Sequence, residues 1–191
     1  MHFLKLTHAA VVALMFSSSA NAALLLSTSG SPSNTVTNYS NVGLISFDLM
    51  MNDLSGAKLN FVLEKGDLQG PLSLNAIVMN ASGLAMPKFS FGLQGIHFAS
   101  AGSVSTGFGP VGNVSHTASD ATIAFSTGQT TDFYFGNPLG MPDSSDWFLD
   151  TSGLRAGDIF SITALVPEPA TAALILPLLA GLVAMRRRKQ G

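Results

Sequence analysis

"KLNFVLE", residues 58–64, decides the fold class: Leu59, Phe61 and Leu63 point one way, with Lys58, Asn60 and Glu64 opposite. An apolar–polar alternation of period two is the mark of a strand with one buried face. "KFSFGLQG", residues 88–95, repeats it, with Phe89, Phe91 and Leu93 against Lys88, Ser90 and Gln94. Working outward, "GLISFDLMM" (43–51), "PLSLNAIVMN" (71–80), "ATIAFST" (121–127), "TDFYFGN" (131–137) and "DIFSITALV" (158–166) are further short strand candidates. Between them fall Lys65-Gly66-Asp67, Ser82-Gly83, Phe108-Gly109-Pro110, Asn137-Pro138 and Ala156-Gly157-Asp158, which are turn chemistry. No convincing amphipathic helix interrupts the series. The expectation is a mainly β body, an antiparallel β-sandwich or jelly-roll-like fold, with strand order left open. The Ser-, Thr- and Asn-rich residues 25–41 read as an edge strand with loops.

Residues 23–166 number 144, enough for one domain around one core. Net charge over the whole chain is −2, but residues 23–169 carry four basic side chains, Lys58, Lys65, Lys88 and Arg155, against eleven acidic ones. A balance of −7 disfavours nucleic acid and anionic surfaces as partners. There is no cysteine, so disulfides contribute nothing and stability falls to packing or bound ions.

The body offers little catalytic chemistry. His97 and His116 are its only histidines, and neither H-E-x-x-H nor a cysteine ligand set accompanies them. His97 reads as a strand residue and His116 as a loop or edge residue. Ser55 and Lys58 match S-x-x-K, but Gly56 lies between them and no K-T-G or S-D-N is present. "GSVSTG", residues 102–107, does not fit G-x-S-x-G. Catalytic residues are therefore expected to be absent. Were activity found, Ser55, Lys58 and His116 would be the starting set.

"MPDSSDWFLD", residues 141–150, holds the body's most suggestive side chains. Asp143, Asp146 and Asp150 offer oxygen ligands suited to calcium, without the spacing of a D-x-[DN]-x-[DN]-G loop. Trp147 beside these acids equally suits a glycan-binding surface, an aromatic face supplying apolar contact and the carboxylates accepting hydroxyl protons. The plainer alternative is a solvated turn leading into a strand anchored by Trp147 and Phe148. Asn38-Tyr39-Ser40, Asn80-Ala81-Ser82 and Asn113-Val114-Ser115 fit N-x-[ST], a pattern of little weight without the transferase.

The two ends read as addresses. Lys5 precedes the uncharged residues 9–16, and a small polar stretch ends in Ala20-Asn21-Ala22. That is the plan of a secretory signal peptide, residues 1–22, with Ala20 and Ala22 forming the cleavage site. It implies the Sec translocon and signal peptidase as partners; an ordinary buried N-terminal helix is the alternative. At the other end, Pro167-Glu168-Pro169 precedes the uncharged residues 170–185, and Arg186, Arg187, Arg188 and Lys189 follow at once. Sixteen residues of helix reach about 24 Å, short of a hydrocarbon core of roughly 30 Å. Pro177 and Gly181 weaken the span further, so a transient stop in the inner membrane fits better than a permanent anchor. The basic cluster favours the cytoplasmic side. A permanent span or a buried C-terminal helix would also use the apolar run.

Residues 167–191 resemble the PEP-CTERM sorting signal of Gram-negative bacteria. The resemblance implies recognition of Pro167, Glu168 and Pro169 by exosortase, a hydrophobic helix over 170–185 and a membrane stop at Arg186, Arg187, Arg188 and Lys189. It further implies removal of the tail and delivery to the cell surface or an exopolysaccharide matrix. Where the family often continues with serine or threonine and an aromatic, this chain has Ala170-Thr171 and no aromatic. The prolines restrict the backbone and withhold two amide donors, so Glu168 is expected on an extended segment. The expected role is a noncatalytic exported surface or matrix protein associated with exopolysaccharide. The alternatives are a carbohydrate- or calcium-binding module and, less in keeping with the residues, a secreted hydrolase. No cofactor is expected, calcium being the ion the acids would suit.

Overall fold

The computed structural model describes residues 22–167 except 108, 130 and 131. Residues 1–21 of the expected signal peptide, Ala20 among them, and Glu168, Pro169, the apolar run and Arg186 to Lys189 lie outside the described residues. The regular structure of the described part is strand, apart from one short 3-10 turn, Lys65–Leu68, with no α-helix among the described residues. None of its helices is long and apolar enough to cross a membrane.

Six strands form the first sheet, in the order β1 (Leu24–Gly30), β4 (Ala57–Val62), β13 (Ile159–Leu165), β6 (Met86–Gln94), β10 (Asp120–Gln129) and β9 (Val111–His116). Every neighbouring pair in it is antiparallel. The second sheet runs β2 (Thr35–Asn38), β3 (Leu44–Met51), β5 (Leu72–Asn80), β11 (Phe133–Phe135) and β8 (Val104–Thr106). Off that path, β12 (Trp147–Asp150) also pairs with β5, and β7 (His97–Ser100) pairs with β12.

The expectation of a wholly antiparallel body is corrected at β3 and β5, which run parallel from Leu44 opposite Ser73 to Met51 opposite Asn80. Parallel neighbours need a crossover connection rather than a tight turn. Here the chain leaves β3, contributes β4 to the other sheet, makes the 3-10 turn and returns as β5. Hydrophobic alternation sets which face is buried, and is silent about which strand lies alongside.

Alternation in the quoted stretches is realised as written. Ala57, Leu59 and Phe61 of β4 are buried, as are Phe89, Phe91 and Leu93 of β6, while Lys58, Asn60, Lys88 and Gln94 stay at least partly exposed. Rings from the two inner faces meet in one core. Phe91 of β6 lies 4.7 Å from Phe135 of β11 and 6.1 Å from Phe47 of β3, and Phe89 lies 5.0 Å from Phe133. Each large side chain removed from water contributes about 1.5–3 kcal/mol, and edge-to-face ring pairs add about 0.5–1.5 kcal/mol.

Two carboxylates tie the corners of this frame. Asp67, only 1% exposed, accepts the backbone N–H of Glu64 at 2.9 Å and of Gly43 at 3.0 Å, joining the 3-10 turn to the turn before β3. Asp53 accepts from the hydroxyls of Ser31 and Ser33 and from the N–H of Ser55, joining the β1–β2 turn to the β3–β4 turn. Asn38 and Asn80 each accept the N–H of the serine two residues on, so two of the three N-x-[ST] matches are side-chain-closed turns.

Candidate functional site

β11 and β12 occupy the same edge of β5 in succession. Phe135 pairs with Ala76 and Trp147 with Leu74, so Asn75 faces the place where the chain leaves the sheet for residues 136–146 and comes back. Departure is possible because Gly136 has φ +75°, and a Cβ there would stand 2.8 Å from the Leu74 carbonyl oxygen. Asp146 closes the base of the excursion: its Oδ1 accepts from Asn75 Nδ2 at 3.0 Å and from the Asn137 N–H at 2.8 Å. Asn137 spans the interior. Its Nδ2 donates to the carbonyls of Met141 and Ser144, each at 3.1 Å, and its Oδ1 accepts the Met141 N–H at 2.6 Å. Leu139 and Met141 remain exposed at the tip.

The excursion is stapled to a second loop. Ser103 N–H donates to the Ser145 carbonyl at 2.9 Å, and Ser145 N–H donates to Ser103 Oγ at 3.0 Å. The Ser103 carbonyl accepts the Gly136 N–H at 2.8 Å and the Trp147 indole N–H at 3.2 Å. Gly102 permits this approach, since a Cβ there would lie 2.5 Å from the Asp146 carbonyl carbon.

Trp147 is 0% exposed, which corrects the reading of its ring as a glycan platform. It stacks on Phe135 at 4.5 Å and meets Phe98 and His116 in T-shaped contacts at 5.3 and 5.5 Å. Position 147 faces the core because β12 pairs with β5 in a register that puts Trp147 beside buried Leu74.

The three acids proposed as a calcium set are not brought together. Asp143 is exposed on the excursion with φ +63°, Asp146 is turned into its base, and Asp150 lies at the other end of β12. Hydrogen bonds from Ser152 hold Asp150 below the usual carboxylate range, with a smaller contribution from the charge of His97, its partner across β7. Among the described residues no three of His, Asp and Glu gather as a metal site. Ser55, Lys58 and His116 are equally scattered. Lys58 donates to Gln94 at 3.3 Å, while His116 is on β9, separated from β4 by β13, β6 and β10. Four strand spacings amount to about 19 Å.

Asn75 and Asn137, which organise the excursion, were not singled out by the sequence pattern. A polar residue interrupting the apolar run of β5 was the available signal for Asn75, and Asn137-Pro138 announced a turn without its partners.

Pro167, the first residue of the Pro-Glu-Pro stretch, lies two residues beyond the end of β13. Together with Leu165 and Val166 it borders an open groove of about 760 Å³ shared with Leu54, Ser55 and Gly56 of the β3–β4 turn. Gly56 packs against β13, where a Cβ would stand 2.6 Å from the Ala164 carbonyl. No protein-family profile, curated protein or solved structure matches this chain.

Proposed function

We propose that residues 23–166 form a noncatalytic component of the cell surface or extracellular matrix, exported with its leader removed and sorted by exosortase through Pro167, Glu168 and Pro169. The observation that carries this reading is the fixed order of proline-bracketed glutamate, uncharged run and basic cluster in residues 167–189. Its position supports it too. The last strand ends at Leu165, so cutting at or after the motif costs the body none of its described strands. The body itself is read as a β-sandwich, supported by the interlocking rings of the two inner faces. A noncatalytic role is favoured over a hydrolase because Ser55, Lys58 and His116 do not converge.

Contact with exopolysaccharide, in this reading, falls to the outer face of the six-stranded sheet rather than to Trp147. There Ser27, Asn60 and Gln94 stand in one row with the buried Ser161, presenting hydroxyl and amide groups suited to a neutral glycan.

Intact-mass measurement on protein recovered from the host's surface and matrix fractions tests the proposal. A new N-terminus at Ala23 together with loss of residues 170–191 is the expected result. Surface material that retains Arg186 to Lys189 overturns processing and favours a permanent anchor.

A further inference from the structure

Gly92 lies inside β6, and nothing in the fold requires a glycine there. Its φ is not in the left-handed region, and a Cβ added to it would meet nothing closer than Asp120 Oδ1, at an ordinary 3.4 Å. Gly56 and Gly112 differ, since a Cβ there would press on the carbonyl oxygens of Ala164 and Ala124 at 2.6 and 2.9 Å. A glycine inside a strand weakens it, and one recurrent reason for its presence is the close approach of a ligand to the backbone.

Cross-strand partners share a face, so Lys58, Thr163, Gly92 and Asp120 form one row across β4, β13, β6 and β10 on the outside of the first sheet. Lys58 and Thr163 are half-buried and Asp120 is exposed. The neighbouring row is filled: Lys58 Nζ donates to Gln94 Oε1 at 3.3 Å, and Ser161, between Asn60 and Gln94, is only 4% exposed. Gly92 leaves its own row bare between Thr163 and Asp120. Asp120 Oδ2 accepts the Ser119 hydroxyl at 2.7 Å, and Oδ1 is the atom turned toward the glycine. On the other side stand Ser90 and Thr122, their hydroxyls 3.0 Å apart, and Leu165, paired with Ser90 and facing the groove that Asp120 also borders.

The chemistry of this hollow selects its occupant. Its row carries one cation and one carboxylate, three strand spacings or about 14 Å apart, so a strongly charged ligand of either sign would meet its like at one end. Lys58, Thr163, Gly92 and Asp120 include no large apolar side chain, so a hydrophobic peptide finds little to bury. What they offer is an ammonium donor, a carboxylate acceptor and a hydroxyl around bare backbone, with the Leu165 side chain at the margin. A sugar ring is complementary to that set, with hydroxyls on its rim and C–H groups on its faces. We infer that the hollow at Gly92 is a saccharide subsite, one sugar residue lying against the glycine with a hydroxyl donating to Asp120 Oδ1 and others meeting Thr163 and Lys58. The inference rests on the exopolysaccharide contact proposed for this face and gives that contact a centre.

Binding of the chain, produced in its native host, to exopolysaccharide purified from that host tests the subsite. The parent should bind saturably. Gly92→Val should weaken binding by about tenfold or more while its urea midpoint equals or exceeds the parent's, since a branched side chain suits a strand and its Cβ meets only ordinary contact. Asp120→Ala, at an exposed position, should weaken binding to a similar extent by removing the charged acceptor. A Gly92→Val midpoint below the parent's makes Asp120→Ala the deciding variant. Full binding by a folded Gly92→Val and by Asp120→Ala overturns the subsite, and loss in Asn60→Ala alongside it keeps the exopolysaccharide contact on the neighbouring row. No binding by the parent overturns that contact and the subsite with it.

Discussion

The indole of Trp147 lies stacked on the ring of Phe135, centroids 4.5 Å apart and planes 12° from parallel, across the gap where residues 136–146 leave the edge of β5. The two rings bring the ends of the excursion back together inside the core. Its polar closure by Asp146 and Asn137 is built around that apolar contact.

Trp147→Ala should lower unfolding free energy by about 3–5 kcal/mol, the usual cost of deleting a fully buried large aromatic. Trp147→Phe should cost less. Urea unfolding measures both, and the single tryptophan of the chain reports the transition in the parent protein by a red shift of its emission. A Trp147→Ala midpoint equal to the parent's would contradict the burial of the indole.

Asp146→Ala removes the one acceptor shared by Asn75 Nδ2 and the Asn137 N–H. A loss of about 1–3 kcal/mol is expected, with faster proteolytic cutting within residues 137–146. Asp146→Asn retains an oxygen at Oδ1 and should fall between the two. Equal cutting rates in all three would show that the excursion does not depend on this carboxylate.

Asp67→Ala should destabilise by about 2 kcal/mol, since it leaves the N–H groups of Glu64 and Gly43 without their acceptor at a site 1% exposed. Asp67→Asn keeps one of the two acceptor oxygens and should be milder. Thermal unfolding of the pair distinguishes a latch of two hydrogen bonds from a replaceable surface acid.

The hydroxyls of Ser31 and Ser33, with the N–H of Ser55, hold Asp53 well below the usual carboxylate range. A depressed folded-state value means that its stabilisation is complete above the unfolded value of about 3.9 and is lost as pH falls through the folded one. The stability gap between the parent and Asp53→Asn should thus be full at pH 6 and narrow below about pH 4. Urea midpoints between those conditions give the answer; a gap that widens in acid would reverse the assignment.

Glu168→Ala should leave translocation intact and cause unprocessed precursor to accumulate in the inner membrane. Pulse-labelling followed by membrane fractionation reads this directly. Equal maturation of variant and parent would reduce Glu168 to a spacer between two prolines.

Seven of the strands were legible as runs of alternating or continuous apolar residues, because burial of one face leaves a period of two in the chain. β8 and β9 were not, since their residues are mostly half-buried or exposed and carry no such period. β12 was foreseen as a strand anchored by Trp147 and Phe148, but which of those rings enters the core depends on the register against β5. That register buries Trp147 and leaves Phe148 37% exposed.

Local chemistry in the sequence was sufficient for a β-rich, cysteine-free, acidic body and for the places where the chain turns. Each of those properties depends on side chains within a few positions of one another. The parallel pairing of β3 with β5, the shared edge that β11 and β12 occupy in turn, and the separation of Asp143, Asp146 and Asp150 depend on contacts between residues far apart in the chain. Only packing the two sheets decided them. A strand's own pattern says which face is buried but not what lies beside it, and the core accepts whichever register brings Phe89, Phe91, Phe133, Phe135 and Trp147 into one set of contacting rings.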